Sequence, residues 1–209
     1  PTGSSSLDHL LSGGVYSGEV TEVFGLFTTG KTQLSMSLAL QAVLLPLKLK
    51  NGDLELGRVW FLDSSASFSP NRMAEMFENN LHSSDRILPV PERLDACLDV
   101  LDRVQLFDVH TPFQLLNILS QLKLLLYEAH IEVPNTNPQL IPSGTALAVD
   151  NLRLVVVDAF GLLLAPYVSS KYKFGRALMV EITQLMKFMA VTYNIAFVVT
   201  NHTTNEPVA

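Results

Sequence analysis

Apolar and polar positions along this chain alternate between two rhythms. Val20 to Phe24 is a short apolar run followed by a Gly-rich loop. Lys31 to about Leu45 then carries helical spacing, which Pro46 must end because proline has no N–H to donate. Arg58 to Asp63 (RVWFLD) reads as a buried strand, Asn71 to Asn79 as a helix, and Val104 to Val109 as a third strand. Pro112 opens a long amphipathic helix to about Glu128. Arg153 to Asp158 (RLVVVD) is the most strand-like run, Gly175 to Tyr193 a further helix, and Ile195 to Thr200 (IAFVVT) a fifth strand. Strands that alternate with helices, and are apolar at nearly every position, predict an α/β fold with a mainly parallel sheet and helices on both faces. Val133 to Asp150, rich in proline and polar residues, predicts an exposed mobile loop. No repeat or linker interrupts the pattern, so 1–209 predicts one domain. Asn201 to Ala209 leaves the fifth strand and stops, which predicts a small sheet lacking C-terminal strands and fits a fragment.

Composition adds limits. The chain has 209 residues, 48% hydrophobic and 16% charged, enough apolar material for a core and a hint of surface left for a partner. A net charge of −6 makes it a poor nucleic-acid binder except through a local cationic patch or a partner subunit. Cys97 is the single cysteine, which excludes an internal disulfide or a thiolate metal cluster. The histidines lack metal-ligand spacing. No apolar run is long enough to span a bilayer and no signal-like segment is present, so an intracellular, reducing compartment is expected.

The strongest chemical signal is Gly25-Leu26-Phe27-Thr28-Thr29-Gly30-Lys31-Thr32, which satisfies G-x-x-x-x-G-K-[ST] in full. The glycines let the backbone curl so that successive N–H groups face phosphate oxygens. Lys31 would reach the β and γ phosphates, the Thr32 hydroxyl would ligate Mg²⁺, and the following helix adds its positive end. A chance match in a turn-rich segment is the alternative, and a strand before the loop with a helix after it argues against chance. Asp158 closes a strand as a Walker B aspartate would and would hold Mg²⁺ through water. Asp63 also ends a strand and is its rival for that role.

Residues 2–14 (TGSSSLDHLLSGG), then Gly18-Glu19-Val20-Thr21-Glu22-Val23-Phe24-Gly25 and Gly30-Lys31-Thr32-Gln33, resemble the opening of the RecA/RadA recombinase core. Val198-Val199-Thr200-Asn201-His202-Thr203-Thr204 resembles the strand and sensor before that family's second DNA-binding loop. Within the family the chain resembles a eukaryotic recombinase paralogue, either the D-type paralogue or a divergent lone paralogue. The resemblance implies a RecA-like P-loop ATPase core with ATP and Mg²⁺ as cofactors. Gln33 would line the nucleotide site, and Arg72 is similar to the arginine that packs on adenine, with plain helix-surface charge as its alternative.

Departures from the family qualify this. The family's glutamate, two residues after the aspartate that ends the second strand, polarises the attacking water; Ser65 stands there instead, and a neutral hydroxyl cannot act as the base. His202 replaces the usual sensor glutamine. Glu19 or Glu22 beside the first strand, or a group from a neighbouring subunit, would be the substitutes. The family's self-assembly segment and small N-terminal DNA-binding domain would precede Pro1. The first DNA-facing loop would fall around Tyr167 to Arg176, where Lys171, Lys173 and Arg176 interleave with Tyr172 and Phe174; cations and rings suit single-stranded DNA, and a solvated loop is the alternative. The expected function is accessory: a nuclear, ATP-binding recombination protein with weak or absent hydrolysis. It would join other paralogues and the strand-exchange recombinase on single-stranded DNA, with no membrane partner. A DNA-stimulated ATPase or recombinase is the first rival, and a P-loop small-molecule kinase, for which no Arg-rich lid is visible, the second.

Overall fold

Three strands carry the fold: β4 (Arg58–Asp63), β6 (Leu152–Asp158) and β7 (Ala196–His202), buried along most of their length. Their near-continuous apolar composition leaves no face for water, so helices must cover both sides. In this computed structural model, which describes residues 1–48, 54–83, 89–130, 149–168 and 173–202, they do. With β1 (Val20–Gly25) and β5 (Val104–Asp108) they form a five-stranded sheet in the order β1-β7-β6-β4-β5, every pairing parallel.

Side chains divide by parity. Val59, Phe61, Leu154, Val156 and Val198 pack on α2 (Lys31–Leu44), α3 (Pro70–Ser83) and α4 (Val90–Asp102), through Met36, Val43, Met73, Phe77 and Val100. Trp60, Leu62, Val155, Val157 and Phe197 pack on α5 (Pro112–His130) and α7 (Lys173–Tyr193), through Leu115, Leu119, Leu122, Ile182 and Met186. Each fully buried side chain of this kind stabilises the fold by about 1.5–3 kcal/mol relative to exposure. Short pieces complete the described residues: α1 (Ser5–Leu10), α6 (Phe160–Leu164), and an antiparallel pair β2 (Leu47–Lys48) and β3 (Leu54–Glu55).

Several sequence expectations are corrected. The helix expected at Asn71 to Asn79 runs Pro70–Ser83, and α4, α6 and the β2–β3 pair were not anticipated. The last helix begins at Lys173 rather than Gly175. Arg176 therefore sits on a helix rather than in a loop, while Lys171 lies outside the described residues. So does nearly all of the Val133 to Asp150 loop. Among the described residues no helix is long and apolar enough to cross a membrane.

Candidate nucleotide site

Parallel strands deliver their C-terminal ends to one edge of the sheet, where α/β proteins bind ligands. Gly25 ends β1, Asp158 ends β6, and Thr200 and His202 lie at the end of β7. The loop leaving β1 curls through Thr28 (φ +63°) and Gly30 (φ +92°) into α2. Gly30 is needed for its left-handed backbone, and a Cβ on Gly25 would stand 3.1 Å from the Thr29 hydroxyl. Lys31, only 8% exposed, donates to the carbonyls of Gly25 (2.9 Å) and Leu26 (2.6 Å). An ammonium carries three donors, so one remains for an anion in the loop. Thr28 to Gln33 and His202 line a cavity of about 240 Å³.

Thr32 and Asp158 meet across 126 residues of sequence: the Thr32 hydroxyl donates to Asp158 Oδ2 at 2.8 Å. Asp158 is 1% exposed and also accepts from Thr200 (2.6 Å, on Oδ1) and Ser67 (2.9 Å, on Oδ2). Hydroxyl and carboxylate oxygens on adjacent elements are the hard ligands that magnesium takes, so the donor set fits that ion. Asp63, the rival, pairs in register with Asp158 but turns to its own loop, accepting the N–H groups of Ser65 (2.9 Å) and Phe68 (2.7 Å). Ser65 is exposed, and its hydroxyl lies 3.2 Å from Asp63 and 2.7 Å from that of Ser67.

His202 stacks on Phe27 with ring centroids 4.1 Å apart and planes 17° from parallel. Burial first, and then the Lys31 charge, push its pKa below the ordinary imidazole value, with Asp158 pulling the other way. Among the described residues its Nδ1 is buried without a hydrogen-bond partner. Arg72, at the start of α3, donates to Gln33 (3.0 Å) and pairs with Glu75 (2.7 Å), which brings it beside the residue after the loop threonine. Glu22 shares parity with Val20, which packs on the α5–α7 core, whereas Val23 packs on the α2 core, and its carboxylate accepts from Asn201. Phe174 and Arg176 are exposed on the first turn of α7, and the Phe174 ring lies 6.0 Å from that of Phe113. Ser67, in the loop after β4, and Thr200, at the end of β7, were missed by sequence reasoning, because single hydroxyl residues carry no spacing signal until the fold brings them to Asp158.

Residues 1–90 match the Rad51 family. Over nearly its whole length the chain is 31% identical to the probable DNA repair protein RAD51 homolog 4 of Dictyostelium discoideum, covering 97% of this chain and 57% of that relative. It is 29% identical to DNA repair protein RAD51 homolog 4 of Bos taurus (98% and 52%) and 26% identical to the meiotic recombination protein DMC1 homolog of Glycine max (99% and 49%). The chain thus spans about half the length of the curated relatives it matches. A complete P-loop joined to a strand-end aspartate on an all-parallel sheet, with these matches, supports a RecA/Rad51-like recombinase paralogue, similar to relatives that include RAD51 homolog 4.

Proposed function

We propose that this chain is the nucleotide-binding core, a single RecA-like domain, of an accessory homologous-recombination protein. ATP would sit against Gly25 to Gln33, with Arg72 at the base and Mg²⁺ held by Thr32 and, through water, by Asp158. The observation that carries the reading is the 2.8 Å bond from Thr32 to Asp158, which unites the two halves of a phosphate and metal site. When bound, the magnesium ion would neutralise charge on the triphosphate; the protein's part is to cradle, orient and shield it. The names of the relatives support a role in DNA repair and recombination. The chain would act with other recombinase paralogues and the strand-exchange recombinase, on single-stranded DNA and in the nucleus. Arg176, with Lys171 and Lys173, would supply the cations for that DNA.

Ser65 supports slow hydrolysis, with ATP acting as a clamp rather than a fuel. The Glu22 carboxylate is taken up by Asn201 and is not the base in this reading. Single-turnover hydrolysis by the wild type, with and without single-stranded DNA, is expected to fall below about 1 per second, the low end of ordinary enzymes. Ser65→Glu should gain activity, a positioned base being worth on the order of 10²-fold or more. Wild-type turnover at the ordinary enzymatic rate would overturn the clamp and favour the DNA-stimulated ATPase.

A further inference from the structure

Ser67 belongs to neither the P-loop nor a strand-end motif, yet its hydroxyl donates to Asp158 Oδ2, the oxygen that also accepts from Thr32. The chain is shaped to bring it there. Asp63 takes the N–H groups of Ser65 and Phe68 on its two carboxylate oxygens, folding the residues after β4 back on themselves. Ala66, at the tip, has φ of +52°, a conformation that residues with a Cβ rarely adopt, so the surroundings hold it. The Phe68 ring lies 4.8 Å from that of buried Phe61 and pins the far end of the loop. Ser64 ties the near end by donating to the Asp158 carbonyl at 2.7 Å. The Ser65 and Ser67 hydroxyl oxygens lie 2.7 Å apart, so the two serines hold each other at the tip of the loop.

Asp158 is thereby gripped on both oxygens. Thr200 holds Oδ1, and Ala159 N–H in turn donates to Thr200 at 2.7 Å; Thr32 and Ser67 share Oδ2. A carboxylate offers about four acceptor sites, so this grip stops its rotation and leaves room for one further donor, such as a metal-bound water. We propose that Ser67 is a positioning residue for the divalent ion that accompanies ATP. Acting through Asp158, it keeps the carboxylate in register with the Thr32 hydroxyl. Asp63 has the supporting part of folding the loop that carries it. The proposal rests on the ATP and magnesium reading given above and adds to it a residue that no motif marks.

The test is equilibrium binding of a fluorescent ATP analogue to the purified chain, titrated with free Mg²⁺ from EDTA-buffered to millimolar concentrations. In the wild type, nucleotide affinity should rise with Mg²⁺. Ser67→Ala should shift the Mg²⁺ midpoint upward about tenfold, the low end for losing a group that orients a metal ligand, with nucleotide affinity in EDTA unchanged. Ser67→Thr, which keeps the hydroxyl, should restore the midpoint. Ser67 is exposed, so the alanine variant keeps the core, and its circular dichroism should match the wild type. A Ser67→Ala midpoint equal to wild type, or no recovery in Ser67→Thr, overturns the positioning role alone. Wild-type affinity indifferent to Mg²⁺ overturns the metal reading and this proposal with it.

Discussion

His202 is a histidine with its charge held off. The imidazole lies flat on Phe27 and near Lys31, and both burial and that cation disfavour protonation. A histidine whose folded pKa is lowered stays neutral where the unfolded chain takes up a proton. Stability is then full above the ordinary value of about 6.5 and is lost as pH falls below it. Asp158 opposes this without reversing it. Wild type should therefore lose more stability than His202→Gln between pH 7 and pH 5.5 in denaturant titrations. Parallel losses in the two proteins would show that the stack does not set the proton affinity. His202, where the resemblance would place a glutamine, thus puts an imidazole in the lining of the cavity shared with Thr28 to Gln33. Its neighbours Thr200 and Asn201 face Asp158 and Glu22, so the end of β7 joins three parts of the site edge.

Elements meet at junctions that the sequence shows unevenly. The C-terminus of α2 leaves carbonyls without intrahelical partners, and Arg153 of β6 reaches across to those of Ala42 (3.2 Å) and Leu45, with a further bond to Glu55 (2.8 Å). Gly57 sits against this junction: a Cβ there would lie 2.4 Å from Arg153 Cδ and 2.5 Å from the Ala42 carbonyl. Gly57→Ala should displace the arginine and cost about 1–3 kcal/mol, the usual scale of overpacking. A denaturation midpoint equal to wild type would show that the junction relaxes without penalty. Neither the arginine cap nor the close approach is visible in one dimension, because the partners are about a hundred residues apart. The strands were legible for the opposite reason. RVWFLD and RLVVVD are apolar on both faces, and only a doubly covered sheet accepts such runs. Helix α2 was legible from the loop before it and Pro46 after it. Helix α4 was not, because Glu92, Arg93, Asp95, Asp99 and Asp102 dilute an apolar stripe of which, among the described side chains, Cys97 and Val100 are buried. The two-residue strands β2 and β3 are too short to show any period. At the site, the P-loop was plain in the sequence, whereas the hydroxyls gathered on Asp158 required the fold.

The whole molecule carries its chemistry on one edge of the sheet and much of its exposed apolar surface elsewhere. Leu94 and Leu98 of α4, Tyr127 of α5, and Phe188 and Val191 of α7 are each roughly half exposed or more, as the apolar-rich composition suggested. In the proposed nucleotide site the loop from Gly25 to Thr32 would cradle the phosphates, and Lys31 is its one cation. The most direct test is the affinity of the wild type and Lys31→Ala for ATP in the presence of Mg²⁺. Both proteins should show the same circular dichroism, because among the described residues the ammonium bonds to its own loop's carbonyls. A hydrogen bond to a charged group contributes about 1.5–3 kcal/mol, so Lys31→Ala should bind ATP on the order of 10- to 100-fold more weakly. Equal affinity in the two folded proteins would contradict the assignment of this edge as the ATP site.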